Sequence, residues 1–200
     1  GILLVMMLNM FTSFGDMNNT NIFDLEFNSS EYIHLITEIE RRAYADRATH
    51  LGDEDFWQVP SEMLLSEKYA NERVQNISID KSTASDDIKA GISPFSESEE
   101  TTHYSVIDKY GNAVSVTTTI NSGYGSGITV TGAGFILNNE MDDFSSKPGV
   151  PNMFGLIGNE ANAIEAYKRP LSSMTPTLVI KDDKPFFCLL YTSPSPRDVE

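Results

Sequence analysis

The 200-residue chain is 40% apolar with a mean hydropathy of −0.24, the composition of a soluble globular protein of one or two domains. Its net charge of −15 repels phosphate backbones and excludes nucleic acid as a natural partner. A single cysteine, Cys188, excludes an internal disulfide, and with only three histidines there is no Cys/His cluster of metal-binding type, so neither a metal nor a cofactor is expected.

The charge is uneven: residues 1–100 carry 19 acids against 7 bases, and residues 101–200 carry 10 against 7. The structural pattern changes at the same place. Ile2 to Phe14 is one apolar segment. Its opening run, Ile2 to Leu8, is far shorter than the ~20 residues that span a bilayer. It also lacks the basic flank of a signal peptide, so it predicts a buried helix. Asn28, with Glu31 three residues on, predicts the capped start of a second helix. Ile33, Ile36, Ile39 and Ala43 form the expected buried stripe of that helix, and Gly52 is its expected stop. Glu38, Glu40, Arg41, Arg42 and Asp46 read as its solvated face rather than as an active site. Pro60 and Ser61 open a third helix with Leu64, Leu65, Tyr69 and Val74 inward. Sequons at Asn18, Asn28 and Asn76 are close to chance in an Asn-rich chain. Asp80 to Glu100 is polar and acidic without an apolar period, the pattern of a mobile linker.

From Thr101 onward the pattern is β. His103 to Asp108 predicts a strand, and Lys109 to Asn112 a turn with Gly111 at positive φ. In Ala113 to Ile120, one face carries Val114, Val116, Thr118 and Ile120, the other Ala113, Ser115, Thr117 and Thr119. A hydroxylated face suits a sheet that presents a nucleophile. Asn121 to Gly127 is Gly-rich but lacks the strand-to-helix setting of a phosphate cradle; it predicts a substrate loop or a plain connection. Phe135 to Leu137 predicts a short strand. Thr177 to Ile180 and Pro185 to Leu190, joined at Asp182-Asp183, predict a hairpin. Thr101 itself stands where the polar linker meets the first strand. Cutting the chain there would give one residue both a hydroxyl nucleophile and an α-amino base.

The strings TTHYSVID, GNAVSVTTTIN, LNNEMDDFSSKPGVPN and KRPLSSMTPT, preceded by RRAYADR and LGDEDF, resemble the γ-glutamyltransferases (γ-glutamyl transpeptidases) over about residues 1–186. The resemblance implies an α+β fold, part of the αββα sandwich of the N-terminal nucleophile hydrolases. It divides the chain into residues 1–100, the helical end of a large subunit closed by a flexible processing linker (80–100), and residues 101–186, the β-rich catalytic start of a small subunit. Residues 187–200 form a tail that resembles translated adapter sequence. The chain then reads as a fragment lacking both ends.

The resemblance further implies self-cleavage between Glu100 and Thr101, after which Thr101 attacks the γ-glutamyl amide of glutathione or a related compound. The glutamyl group would pass to water or to an amino acid or peptide acceptor. Thr119 would hydrogen-bond the nucleophile. Asn121, Glu140 and Asp143 would hold the substrate α-amino group, and Ser172 and Ser173 its α-carboxylate. Taken alone, Glu140, Asp142 and Asp143 read as a solvated acidic turn and the serines as a solvent-facing pair; the turn lacks the alternating ligands of a calcium loop. His103 is expected to be structural. Two departures stand out: the family's carboxylate-binding arginine would lie upstream of Gly1, and its Gly-Gly oxyanion pair would fall on Ser195 and Pro196. Proline has no N–H to donate. The alternatives are a non-catalytic fragment and a cephalosporin-type acylase on the same scaffold. The family setting implies a periplasmic or secreted protein, assembled from two subunits of one precursor, with no membrane span in this segment.

Overall fold

The structure, a computed structural model, describes residues 1–88 and 101–189. Helix α1 (Ile2–Asn18) buries Met6, Met10 and Phe14, four residues apart and so on one face, and leaves Val5 and Leu8 exposed. Asn19 closes it in the left-handed conformation. Helix α2 (Ser30–His50) begins one residue later than the capping pattern predicted. Ser29 is the cap, its hydroxyl accepting from the Tyr32 N–H at 3.2 Å, while Asn28 takes a left-handed φ of 63° just outside. The helix stops at His50, two residues before Gly52.

The buried stripe of α2 is Leu35, Glu38, Ile39, Arg42, Ala43 and Asp46, whereas Ile33 is exposed. The expectation of a solvated charged face is therefore corrected: Glu38, Arg42 and Asp46 point inward, and they do so in partnership. The Glu38 carboxylate accepts from Arg42 at 2.7 Å, Arg41 at 2.6 Å and the Thr83 hydroxyl at 2.6 Å. Arg42 also donates to the Asn76 side-chain carbonyl at 2.7 Å. Burial opposes charge on Glu38, but the hydrogen bonds from Thr83 and Arg42 outweigh it and leave its pKa below the usual carboxylate value. Asp46 is met by Arg73 at 3.0 Å and by the Tyr69 hydroxyl at 2.9 Å. Burial dominates there and raises the Asp46 pKa.

The third predicted helix is two: α3 (Ser61–Leu64) and α4 (Glu67–Val74). Ser66 causes the break, because its hydroxyl donates to the Met63 carbonyl at 2.8 Å and accepts from the Tyr69 N–H at 3.2 Å, ending one helix and capping the next. Leu64 and Val74 are buried as expected, and Leu65 and Tyr69 pack against the same core. That core joins Met6, Met10 and Phe14 to Leu35, Ile39 and Val74. Residues 80–88, the first part of the expected linker, are anchored: Thr83 is held by Glu38 and Arg42, Ser85 by Arg41, and Ile88 is buried. The rest of that linker, Glu100 included, lies outside the described residues.

Strands β1 (Thr102–Ile107) and β2 (Ala113–Thr118) pair antiparallel, Thr102 opposite Thr118 and Ile107 opposite Ala113. Gly111 takes a φ of 87° in the connecting turn, which Asp108 stabilises by accepting from the Tyr110 and Asn112 N–H groups at 2.8 and 2.9 Å. Strands β3 (Thr177–Lys181) and β4 (Lys184–Leu189) form the second hairpin; Asp182 and Asp183 both take positive φ, the two-residue turn that suits the right-handed twist of strands. Strand β2 packs beside β3 and β4. The expected strand at Phe135 to Leu137 is reduced to one bridge, Ile136 to Thr129. Among the described residues no helix is long and apolar enough to cross a membrane.

The buried Glu38–Arg42 pair yields a stability prediction. Arg42→Met leaves Glu38 short of its main partner and should lower the unfolding free energy by about 3–5 kcal/mol in urea titration. A change below about 1 kcal/mol would show that Arg41 and Thr83 suffice to satisfy Glu38.

Candidate active site

The first hairpin sorts its side chains by face. Thr101, His103 and Ser105 fall on one side with Ser115, Thr117 and Thr119; continuing the register by one pair sets Thr101 opposite Thr119. Thr101, His103, Ser115, Thr117 and Thr119 are partly buried, whereas Tyr104, Val106 and Val114 on the apolar face are about half exposed. Ser105 on the hydroxylated face is exposed, and Val116 and Ile120 on the apolar face are partly buried. His103 spans the hydroxylated face, one ring nitrogen 3.1 Å from the Thr117 hydroxyl and the other 3.1 Å from that of Ser105.

From Thr119 a series of hydrogen bonds, joined by short backbone segments, runs through the loops. The Thr119 hydroxyl accepts from the Asn121 N–H at 3.0 Å, and the Asn121 side chain donates to the Asn139 carbonyl at 2.9 Å. Asn121 is buried with a left-handed φ of 74°, which Asn tolerates better than most residues. Asn139 leads into a single helical turn, Glu140–Asp143, whose acids are close enough to interact. Burial first, then the neighbouring Glu140 charge and hydrogen bond, raise the Asp143 pKa to about 7; the Arg47 charge opposes them. Asn162 carries the path onward: its amide donates to the Asp143 carbonyl at 2.7 Å and its side-chain oxygen accepts from the Leu171 N–H at 3.0 Å.

Leu171 is followed by Ser172 and Ser173. Ser172 accepts from the Met174 N–H at 3.1 Å, and Ser173 accepts from Arg47 at 3.1 Å. Two residues upstream, Arg169 is clamped by Asp53, whose carboxylate takes the Arg169 backbone N–H at 2.8 Å and its Nε at 2.9 Å, with further contacts from Nη2 to Asp53 and Asp55. These hydrogen bonds hold the Asp53 carboxyl well below the usual range. LGDEDF and KRPLSSMTPT are thereby joined across more than a hundred residues of sequence.

Arg47, Asp143, Ser145, Asn162 and Ser173 line one small cavity, and Arg47, Ser172, Ser173 and Met174 line a second of about 230 Å³ that reaches Ile2 and Leu51. Gly158 is fixed by this packing, since a Cβ there would sit 2.0 Å from the Ser145 hydroxyl. Among the described residues no group of three His, Cys, Asp or Glu side chains is placed to hold a metal. The cavity walls thus offer hydroxyls, the Asp143 carboxyl and a guanidinium, a combination able to grip a small zwitterion.

Residues 1–189 match the family described as gamma-glutamyltranspeptidase. The chain belongs to the γ-glutamyltranspeptidase family. It is 48% identical over 185 residues to a glutathione hydrolase proenzyme of Escherichia coli (strain K12), covering 92% of this chain and 31% of that protein. It is 49% identical over 160 residues to a glutathione hydrolase proenzyme of Pseudomonas aeruginosa, covering 80% of this chain and 28% of that protein. The chain therefore spans about a third of the length of these relatives. A cephalosporin acylase from Bacillus halodurans shares its fold, with a TM-score of 0.63 and 24% identity over 94% of this chain and 30% of that one. The fold is accordingly α+β, of the N-terminal nucleophile hydrolase type.

Hydrogen bonds join Thr119 to Asn121 and Asn121 to Asn139, and Asn162 joins Asp143 to Leu171; Glu140 interacts with Asp143, Ser172 lines the second cavity, and Thr101 lies one residue beyond the Thr102–Thr118 pair. Glu100, Ser195 and Pro196 lie outside the described residues. Sequence reasoning missed Arg47, Asp53, Asn139 and Asn162, which connect the predicted residues to one another. Arg47, Asp53 and Asn139 are polar positions inside strings already singled out, RRAYADR and LGDEDF among them, whereas Asn162 lies in none of those strings.

Asp53→Asn should loosen the loop that carries both serines. Amide exchange at Leu171 and Met174 is expected to accelerate roughly tenfold, with unchanged exchange contradicting the clamp. Because the Asp53 pKa is depressed, its contribution holds above the ordinary aspartate value of about 3.9 and is lost as pH falls below it.

Proposed function

We propose that this chain carries the processing junction and most of the glutamyl-binding wall of a self-cleaving γ-glutamyl transferase and hydrolase. The series of hydrogen bonds and short backbone segments from Thr119 to Ser173 carries the proposal, because it connects the residues proposed to support the nucleophile and to hold the ammonium and the carboxylate. The Thr101 hydroxyl attacks the Glu100 carbonyl carbon; the peptide C–N bond breaks as the nitrogen takes a proton, and water hydrolyses the resulting ester. Thr101 is then a chain terminus. Its α-amine, with an ordinary pKa near ~8, is partly neutral at physiological pH and accepts the hydroxyl proton during catalysis.

The mature Thr101 attacks the γ-amide carbonyl of glutathione or a similar donor and forms a γ-glutamyl ester. Thr119 hydrogen-bonds the nucleophile. Asn121, Glu140 and Asp143 hold the α-ammonium, and Ser172 and Ser173 donate to the α-carboxylate. The ester passes to water or to the amine of an amino acid or peptide. The similarity to the E. coli and P. aeruginosa glutathione hydrolase proenzymes supports this substrate and a precursor cut into two subunits. Export to the periplasm or exterior fits substrates found there. A cephalosporin-type acylase remains the second reading, favoured by the shared fold; the neighbouring acids Glu140 and Asp143, proposed to hold an ammonium, support glutamyl donors.

In the full-length protein, Thr101→Ala should abolish cleavage into two chains on a denaturing gel and abolish release of a chromogenic γ-glutamyl anilide. Retention of anilide turnover by uncleaved Thr101→Ala would sink the proposal.

The elevated Asp143 pKa adds a pH signature. Binding an ammonium needs the Asp143 carboxylate, and attack needs a neutral Thr101 amine, so both protons must leave. kcat/KM should fall more steeply than one proton below pH about 7. Removing the Glu140 charge with Glu140→Gln lowers the Asp143 pKa and should move that second inflection to lower pH. A one-proton limb, identical in wild type and Glu140→Gln, would contradict this role for Asp143.

A further inference from the structure

Arg47 lies in the last turn of α2, more than a hundred residues from the serine loop in sequence, yet its guanidinium donates to the Ser173 hydroxyl at 3.1 Å and the Leu171 carbonyl at 3.5 Å. It lines both cavities, facing Asp143 in one and Ser172 and Met174 in the other. The guanidinium is partly buried and is braced by the Tyr44 ring, 5.8 Å from its centroid.

The direction of the Arg47–Ser173 bond has a chemical consequence. Arginine only donates, so the Ser173 oxygen is the acceptor and the Ser173 O–H is left to donate elsewhere. A serine held this way favours an anion over a second donor, and the cation behind it strengthens that preference. Asp143 supplies the opposite charge on the same cavity. One wall thus favours a carboxylate and the other an ammonium.

We propose that Arg47 is a positioning residue for substrate recognition: by holding Ser173 as a hydrogen-bond donor with a cation behind it, it selects donors that carry a free α-carboxylate. This rests on the assignment of Ser172 and Ser173 to the α-carboxylate. Both bonds leave one nitrogen, Nη2, so lysine could supply the charge and the donors, but not the planar guanidinium that lies over the Tyr44 ring, and it should restore the function only in part.

The test uses the full-length, self-processed protein and a γ-glutamyl anilide. Arg47→Gln is expected to raise KM roughly tenfold with kcat within about threefold of wild type, since it removes binding rather than chemistry. Arg47→Lys should fall between the two. Ser173→Ala should raise KM similarly, and the Arg47→Gln/Ser173→Ala double variant should raise it less than the product of the single effects, because the arginine acts through that serine. An unchanged KM in Arg47→Gln, multiplicative effects in the double variant, or a parallel collapse of processing, kcat and KM that lysine does not relieve would each overturn the inference. If Arg47→Gln fails to process, Arg47→Lys decides: a raised KM with intact kcat supports the role, and a wild-type KM removes it. A wild-type protein that processes itself but leaves the anilide intact overturns the proposed function and this inference with it. A wild-type enzyme that turns over, with Arg47→Gln unaffected, overturns the inference alone.

Discussion

The antiparallel pairing of Thr102 with Thr118 is the constraint on which the site depends. Because side chains alternate along a strand, this one register gathers the hydroxyls of Thr101, Ser105, Ser115, Thr117 and Thr119 on a single face with His103. A slip of one residue would turn all of β2 over and set Val114 and Val116 where the hydroxyls now stand. The Asp108 turn, with Gly111 at positive φ, closes the hairpin in the register that avoids this. The hairpin is therefore a positioning device for its own first residue.

The rest of the chain builds a wall around that end. Irregular loops carry most of the residues proposed to bind substrate, and a loop holds its shape only if its backbone groups find partners. Asn121, Asn139 and Asn162 supply them, each bridging backbone segments rather than packing as apolar core would. The helical part contributes through charge: Asp53 fixes Arg169 and Arg47 fixes Ser173, one at each side of the serine pair. Both contacts cross the Glu100–Thr101 junction, so cleavage there would leave the two pieces joined by ion pairs and hydrogen bonds already in place. Thr83, held by Glu38 and Arg42, anchors the upstream side before the chain reaches that junction.

Periodicity made the elements legible. The apolar run Ile2 to Phe14 gave α1, and the alternation in Ala113 to Ile120 gave β2 with its two unlike faces. The same logic placed Ile39 and Ala43 on the inward face of α2 but missed Glu38, Arg42 and Asp46 beside them; their burial depends on partners such as Thr83, Asn76 and Arg73 that local sequence does not reveal. Ser66 broke a helix that composition alone would have continued, through a side chain that competes for backbone groups. In the site, Thr101 was legible as a hydroxyl at a linker-to-sheet boundary. Glu140, Asp143, Ser172 and Ser173 were legible only through family resemblance, since alone they read as solvent-facing polar residues. Arg47 and Asp53 were hidden for a third reason: their partners, Ser173 and Arg169, are more than a hundred residues away in sequence.

The central claim is that one threonine supplies both the attacking oxygen and, once its peptide bond is cut, the base beside it. Mass spectrometry of the full-length protein, quenched in acid during turnover of a γ-glutamyl donor, tests this most directly. The account predicts a small chain that begins at Thr101 and carries a single glutamyl group on that residue. A small chain beginning elsewhere, or a glutamyl adduct on any other side chain, would contradict it.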